Sequence, residues 1–247
     1  MEVALISPFQ IMREIPNTKY HLVLAHLLAD KRYRAFELAV EGYKILDNGV
    51  VEGKQTTAEE LIALATAIGA NEIVVPDTPR NAVRTMRQAQ DFEHIAKEHP
   101  EFKYMGVIQG ADHVQREHVL DMMQHLGYFS IYALPRNAVV DGLERAAFAS
   151  ELYGIDKSIV LHALGSSAWA EEARVLANQP NVRGMDTAMP IKMALDNQVL
   201  GEGANYRVYP HNWDYFTEDI QINDTRWSLI HGNLRTFLGW AKAPSAR

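Results

Sequence analysis

Asp47, Asp77, Gln109, His162 and Asp186 are the residues of this sequence best placed to do chemistry. Each lies at or near the end of a short apolar run: YKILD at 43–47, EIVVPD at 72–77, KYMGVIQ at 103–109, SIVLHAL at 158–164 and VRGMD at 182–186. A carboxylate beside a primary amide can read a purine edge. Guanine offers N1–H and N2–H₂ as adjacent donors, which one carboxylate accepts as a pair, while O6 and N7 accept from an amide or a backbone N–H. A separate carboxylate can attack an anomeric carbon, stabilising and then trapping an oxocarbenium-like centre. Each position also has a structural explanation, because Asp and Asn favour turns and caps. Asp47 can start the Asn48-Gly49 turn, and Asp77 can start the turn into Pro79. Four of eight consecutive runs ending on Asp or Gln favours a ligand site over four unrelated turns.

The elements that must position these residues follow from the same runs. Val3–Pro8, HLVLAH at 21–26 and FSIYAL at 129–134 bring the runs to eight. They are apolar throughout rather than alternating, as expected for strands buried on both faces of a parallel sheet. Helix signals separate most of them. Thr57 with Glu60 is a capping-box pair and Gly69 a stop. Thr78 before Pro79 predicts another start, Asp112 with Gln115 a third, closed by Gly127. Asp141 opens a helix that Gly154 ends, and Ser167 opens the one before Val182. The stretch 9–20 contains Pro16 and reads as irregular. Eight strands with helices between most of them predict an α/β fold, a (β/α)₈ TIM barrel, with a doubly wound open sheet as the alternative. One domain over 1–247 is expected, with a C-terminal extension from about 195 that holds Pro210, His211, Trp213 and a helix from Thr225 to Trp240. That extension either packs across the barrel or forms a small subdomain. Active sites of such barrels lie at the carboxyl ends of the strands. This gathers Asp47-Asn48-Gly49, Asp77, Gln109-Gly110, Leu134-Pro135, His162 and Asp186 on one rim.

Composition narrows the classes. The 247 residues are 47% hydrophobic, enough for one large barrel domain. There is no cysteine, which removes disulfides, thiolate zinc sites and cysteine nucleophiles, and fits a cytoplasmic location. No run is long and apolar enough for a membrane span, and MEVALISPFQ lacks the pattern of a secretory signal. A net charge of −7 excludes a general nucleic-acid binder, although Arg80, Arg84 and Arg87 recur at helical spacing and share one face. No GxGxxG or GxxxxGK[ST] loop is present, which weighs against nucleotide-cofactor folds.

In order and spacing, residues 43 to 192 resemble the tRNA-guanine transglycosylase superfamily, which exchanges guanine for a 7-deazaguanine inside a nucleic acid. ILDNGVVEG is similar to the family's aspartate-serine-glycine-glycine segment, PDTP to its base-recognition aspartate segment, and GVIQG to its VQG. IYALP stands where the family has a glycine-leucine pair, VLHALG is similar to YLMGVG, and MDTAMPIK to FDCVLPTR. The resemblance implies Asp186 as nucleophile on C1′ and Asp47 as orienter or acid-base group. Asp77 would read the base's N1/N2 edge, and Gln109 with Gly110 its O6 or N7. The backbone at Ala133–Leu134 would help, Asn48 takes the serine's place, and Lys192 stands for the family's phosphate-facing arginine. His162 replaces a methionine that stacks on the base and is assigned to the pocket lining; Val50 stands near the other stacking position.

The family's tRNA enzymes carry a zinc site of three cysteines and a histidine and are much longer. The short, zinc-less relatives resemble the phage and bacterial DNA-modifying branch, which places bases such as preQ0 into DNA against restriction. The resemblance therefore implies DNA over tRNA as partner, no metal or redox cofactor, and a base-exchange transferase whose oligomeric state the sequence leaves open. A tRNA-modifying enzyme, a non-catalytic nucleobase-binding barrel and a base-removing hydrolase are the alternatives.

Overall fold

The computed structural model describes residues 1–51, 53–54, 56–136, 142–169, 171–206 and 214–242. All eight expected strands form: β1 Glu2–Leu5, β2 Tyr20–Leu24, β3 Tyr43–Asp47, β4 Glu72–Val74, β5 Lys103–Val107, β6 Ile131–Pro135, β7 Leu161–Leu164 and β8 Val182–Thr187. Every ladder is parallel, in the order β1-β8-β7-β6-β5-β4-β3-β2. Strands β1 and β2 pack side by side but share no ladder, so a seam remains in an otherwise continuous (β/α)₈ barrel. The Leu24 N–H donates to the Tyr33 hydroxyl (3.1 Å) rather than to a strand.

The uniformly apolar runs have a simple cause. Neighbouring residues on a strand point to opposite faces, and here both faces are covered. Ile45, Val74, Met105 and Ile131 fill the barrel interior, whereas Leu46, Ile73 and Ile108 belong to the outer layer packed under the helices. A third cluster, including Ile11, Ile191, Ile230 and Leu234, joins the C-terminal helix to the barrel.

Helices α1 Lys31–Ala39, α2 Ala58–Ile68, α3 Ala82–Glu98, α4 His113–Leu126, α5 Gly142–Ile155 and α6 Glu172–Ala177 connect β2 through β8 in turn. α7 Met189–Leu195 follows β8, and α8 Asp224–Lys242 packs on α6 and α7. The expected extension thus lies against the barrel. Among the described residues no helix lies between β1 and β2, as the Pro16 stretch predicted.

The caps explain where several helices start. Thr57 accepts from Glu60 N while the Glu60 side chain accepts from Thr57 N, and Gly69 closes α2 in the left-handed region (φ 64°). Asp112 accepts from Gln115 N, and Gly127 (φ 73°) ends α4. Three expectations differ. α3 starts after Asn81 rather than at Pro79, because Arg80 takes a positive φ of 59° that interrupts any helix begun earlier. Thr78 bonds Thr85 and Gln88 instead of capping. α6 starts at Glu172, since Ser167 N–H is drawn to the buried Glu172 carboxylate. Gly154 lies inside α5, which ends one residue later. Asp141, Pro210, His211 and Trp213 lie outside the described residues.

Candidate active site

Asp47 is the last residue of β3, Asp77 and Gln109 lie just past β4 and β5, and Asp186 is the fifth residue of β8. All four are buried polar groups, and with Asn48 and Lys192 they border one cavity of about 450 Å³ at the carboxyl ends of the strands. Such a volume suits a ligand of nucleoside size.

On the β3–β5 side, amides hold a carboxylate. Asp77 Oδ1 accepts from Asn48 Nδ2 (2.8 Å), and Oδ2 accepts from Gln109 Nε2 (2.7 Å). Asn48 also donates to Val75 O and accepts from Val50 N, so its role is to support Asp77. Gln109 Oε1 accepts from Arg80 N (2.9 Å). The strained backbone at Arg80 therefore fixes which end of the Gln109 amide meets Asp77. Burial pushes the Asp77 carboxyl up, against the pull of the Asn48 and Gln109 hydrogen bonds. Each carboxylate oxygen still has a second lone pair, and Gln109 Nε2 has a second N–H. Asp47 is held by Gly49 N–H on Oδ2 (2.9 Å).

On the β7–β8 side stands Asp186. Its Oδ1 accepts from Gly165 N (2.9 Å) and faces His162 Nε2 at 3.1 Å; among the described residues no hydrogen bond reaches Oδ2. The loop carrying Gly165 (φ 70°) is fixed from behind by Arg145. Its guanidinium donates to Leu134 O, Leu164 O, Gly165 O and the Glu172 carboxylate, and both side chains are 1% exposed. A polar column continues below Asp186. Tyr20 Oη lies 3.0 Å from His162 Nδ1, Tyr20 stacks on Tyr43, and Tyr43 donates to Glu72, which is paired bidentately with Arg183. A Cβ on Gly184 would come within 2.8 Å of Tyr20 Oη, so glycine there makes room for the tyrosine.

Four expected site residues do not face the cavity. His162 is the second residue of β7, not its end, and is fully buried beneath Asp186. The Ala133 carbonyl accepts from Ile108 N and that of Leu134 from Arg145, so both are committed to the fold. Gly110 packs against the start of α4, where a Cβ would meet Arg116 N at 2.9 Å. At the expected stacking position it is Val51, not Val50, that borders the cavity.

Residues that sequence reasoning missed include Arg136, Gly165, Tyr206 and Phe216. Arg136 follows the Leu134-Pro135 strand end and was within reach of the same rule. Tyr206 and Phe216 come from the C-terminal extension, which returns to the mouth through Phe9 N–H to Phe216 O and Tyr215 Oη to Ile6 O. No strand-end rule finds them. Lys192 Nζ lies over the Tyr215 ring (4.5 Å to its centroid).

A larger cavity, about 570 Å³, lies at the β1–β2 seam, lined by Leu5, Met12, His21, Phe36 and Glu37 among others, and none of Asp47, Asp77, Gln109 and Asp186 borders it. At the surface, His113, Glu117 and Glu151 offer ligand atoms within 4.8 Å of one another, a spacing that the contacts of His113 Nε2 with both carboxylates also explain. Among the described residues no helix is long and apolar enough to cross a membrane. No protein-family model matches the chain, and no curated protein matches it.

Proposed function

We propose that the chain is a guanine transglycosylase that replaces guanine in DNA with a 7-deazaguanine such as preQ0, through an ester between Asp186 and the sugar. One observation carries the reading: Asp77, Gln109 and Asp186, from three separate strand ends, border a single cavity, with a base-reading pair on one side and an uncommitted carboxylate oxygen on the other.

The target nucleotide is flipped out, because neither C1′ nor the base edge is reachable in a stack. Asp77 accepts from N1–H and N2–H₂, and Gln109's second N–H meets O6 or N7. Asp186 attacks C1′ as the C1′–N9 bond breaks and guanine leaves with the bonding pair. Gln109 offsets the negative charge that develops on the base. The incoming base loses its N9 proton, its N9 forms the new bond to C1′, and the Asp186 ester oxygen departs as carboxylate. Asp47, on the same rim, is assigned to carry the proton between the two bases. Lys192 and Arg136 supply positive charge at the cavity border for a phosphate. DNA is preferred to tRNA because this sequence has no cysteine for the zinc subdomain with which the tRNA enzymes engage their substrate.

Labelled preQ0 offered with duplex DNA and with tRNA tests the proposal. Label should enter DNA, and Asp186→Asn should abolish both incorporation and covalent trapping while leaving base binding nearly unchanged. Label in tRNA alone would move the substrate to RNA, abasic sites without label would make the enzyme a hydrolase, and normal incorporation by Asp186→Asn would overturn the nucleophile.

A further inference from the structure

We propose that His162 is a positioning residue, held by Tyr20 in the tautomer protonated on Nε2, so that Asp186 is anchored through Oδ1 and presents Oδ2 to the sugar. The inference rests on the proposed nucleophile but concerns a pair of groups that never meet the substrate.

The geometry fixes the direction of each proton. An ionised carboxylate only accepts, so His162 Nε2, 3.1 Å from Asp186 Oδ1, must be the donor. A neutral imidazole protonated there has a lone pair on Nδ1, and Tyr20 Oη, 3.0 Å away, must donate to it. Burial pushes the Tyr20 hydroxyl well above its ordinary value, so the proton stays on the oxygen. A second proton on His162 would make the Tyr20 hydroxyl an acceptor and leave its own O–H, among the described residues, with no other acceptor. The chain Tyr20–His162–Asp186 therefore runs one way.

Two N–H groups, from His162 and Gly165, then converge on Oδ1. They hold the carboxylate plane in place and leave Oδ2 as the oxygen that forms the bond. In the ester, Oδ1 becomes the carbonyl oxygen and keeps both donors. They stabilise the charge that returns to the carboxylate as C1′ is released. The carboxylate thus meets the same two partners before, during and after the exchange, with no rearrangement between steps.

Ring ¹⁵N shifts of His162 in the intact wild-type chain at neutral pH read the tautomer directly. Protonation on Nε2 alone is expected; protonation on Nδ1 or on both nitrogens overturns the proposal. Tyr20→Phe keeps the ring stack and removes the donor, and should turn His162 into a mixture of tautomers. It should also lower kcat for base exchange roughly tenfold to a hundredfold, with KM for the base unchanged, because a misplaced nucleophile costs on this scale. His162→Gln, whose amide N–H can reach Asp186, should retain more of kcat than His162→Met. Unaltered kcat in Tyr20→Phe, or equal activity in the Gln and Met variants, would overturn the positioning role. If the wild-type chain exchanges no base, the proposed function falls, and the tautomer alone decides the inference.

Discussion

Asp77 is buried with each of its oxygens already bonded to an amide, and burial pushes its carboxyl above the usual range. In the proposed role, only the ionised form can accept from both guanine donors. Guanine affinity should therefore be full above the raised value and be lost on acidification sooner than an ordinary aspartate would dictate. Asp77→Asn puts an N–H against a guanine donor and should weaken guanine binding by roughly a hundredfold, since each bond to a charged acceptor is worth about 1.5–3 kcal/mol. Calorimetric titration with guanine checks both, and unchanged affinity would remove Asp77 from base reading. Asp77, Gln109 and Asp186 were legible in the sequence because a polar residue ending an apolar run is visible without coordinates. His162 was legible only as a residue: whether a histidine is second or last in a four-residue strand turns on a boundary that hydrophobic patterns do not resolve. The positive φ of Arg80, which orients Gln109, has no counterpart in composition or period.

Between elements, the Arg145–Glu172 pair ties α5 and α6 to the ends of β6 and β7, and so sets the loop whose Gly165 N–H meets Asp186. Burying two charges is costly, and here four carbonyl and carboxylate partners surround one guanidinium. Arg145→Met leaves the Glu172 carboxylate buried without its counter-charge, with only the Ser167 N–H still on it, and should cost about 3–5 kcal/mol in chemical denaturation. Adding Glu172→Met should recover part of that stability but not the loop, so activity should stay low in the double variant. A single variant as stable as wild type would show that Glu172 is satisfied without Arg145. The sequence exposed the caps of α2 and α4, because their signal is local. The start of α6 was misread because Ser167 answers to Glu172, a contact made by the folded loop rather than by a cap.

At the scale of the whole molecule, the barrel was legible because eight doubly covered strands need eight apolar runs. The seam was legible only as an irregular stretch around Pro16. Beside it Glu37 is 4% exposed, and burial pushes its carboxyl up to about 7 despite the nearby Lys44 ammonium. The folded chain holds this proton where the unfolded chain has released it, so stability should fall as pH rises from the usual carboxylate range to about 7, and stay at the lower level above that. Glu37→Gln should flatten that window and stabilise the chain at pH 8 by roughly 3 kcal/mol in denaturant titrations, and an unchanged pH profile would contradict the assignment. The ring itself is laced by backbone bonds between seven strand pairs, while the eighth junction, β1 against β2, closes by side-chain packing. Parting those two lips breaks no inter-strand hydrogen bond, so the hoop should yield there first. Amide exchange should spread from β1 and β2 and reach β5 and β6, diametrically opposite, last, whereas uniform protection around the hoop would mean that packing alone grips as firmly as a ladder.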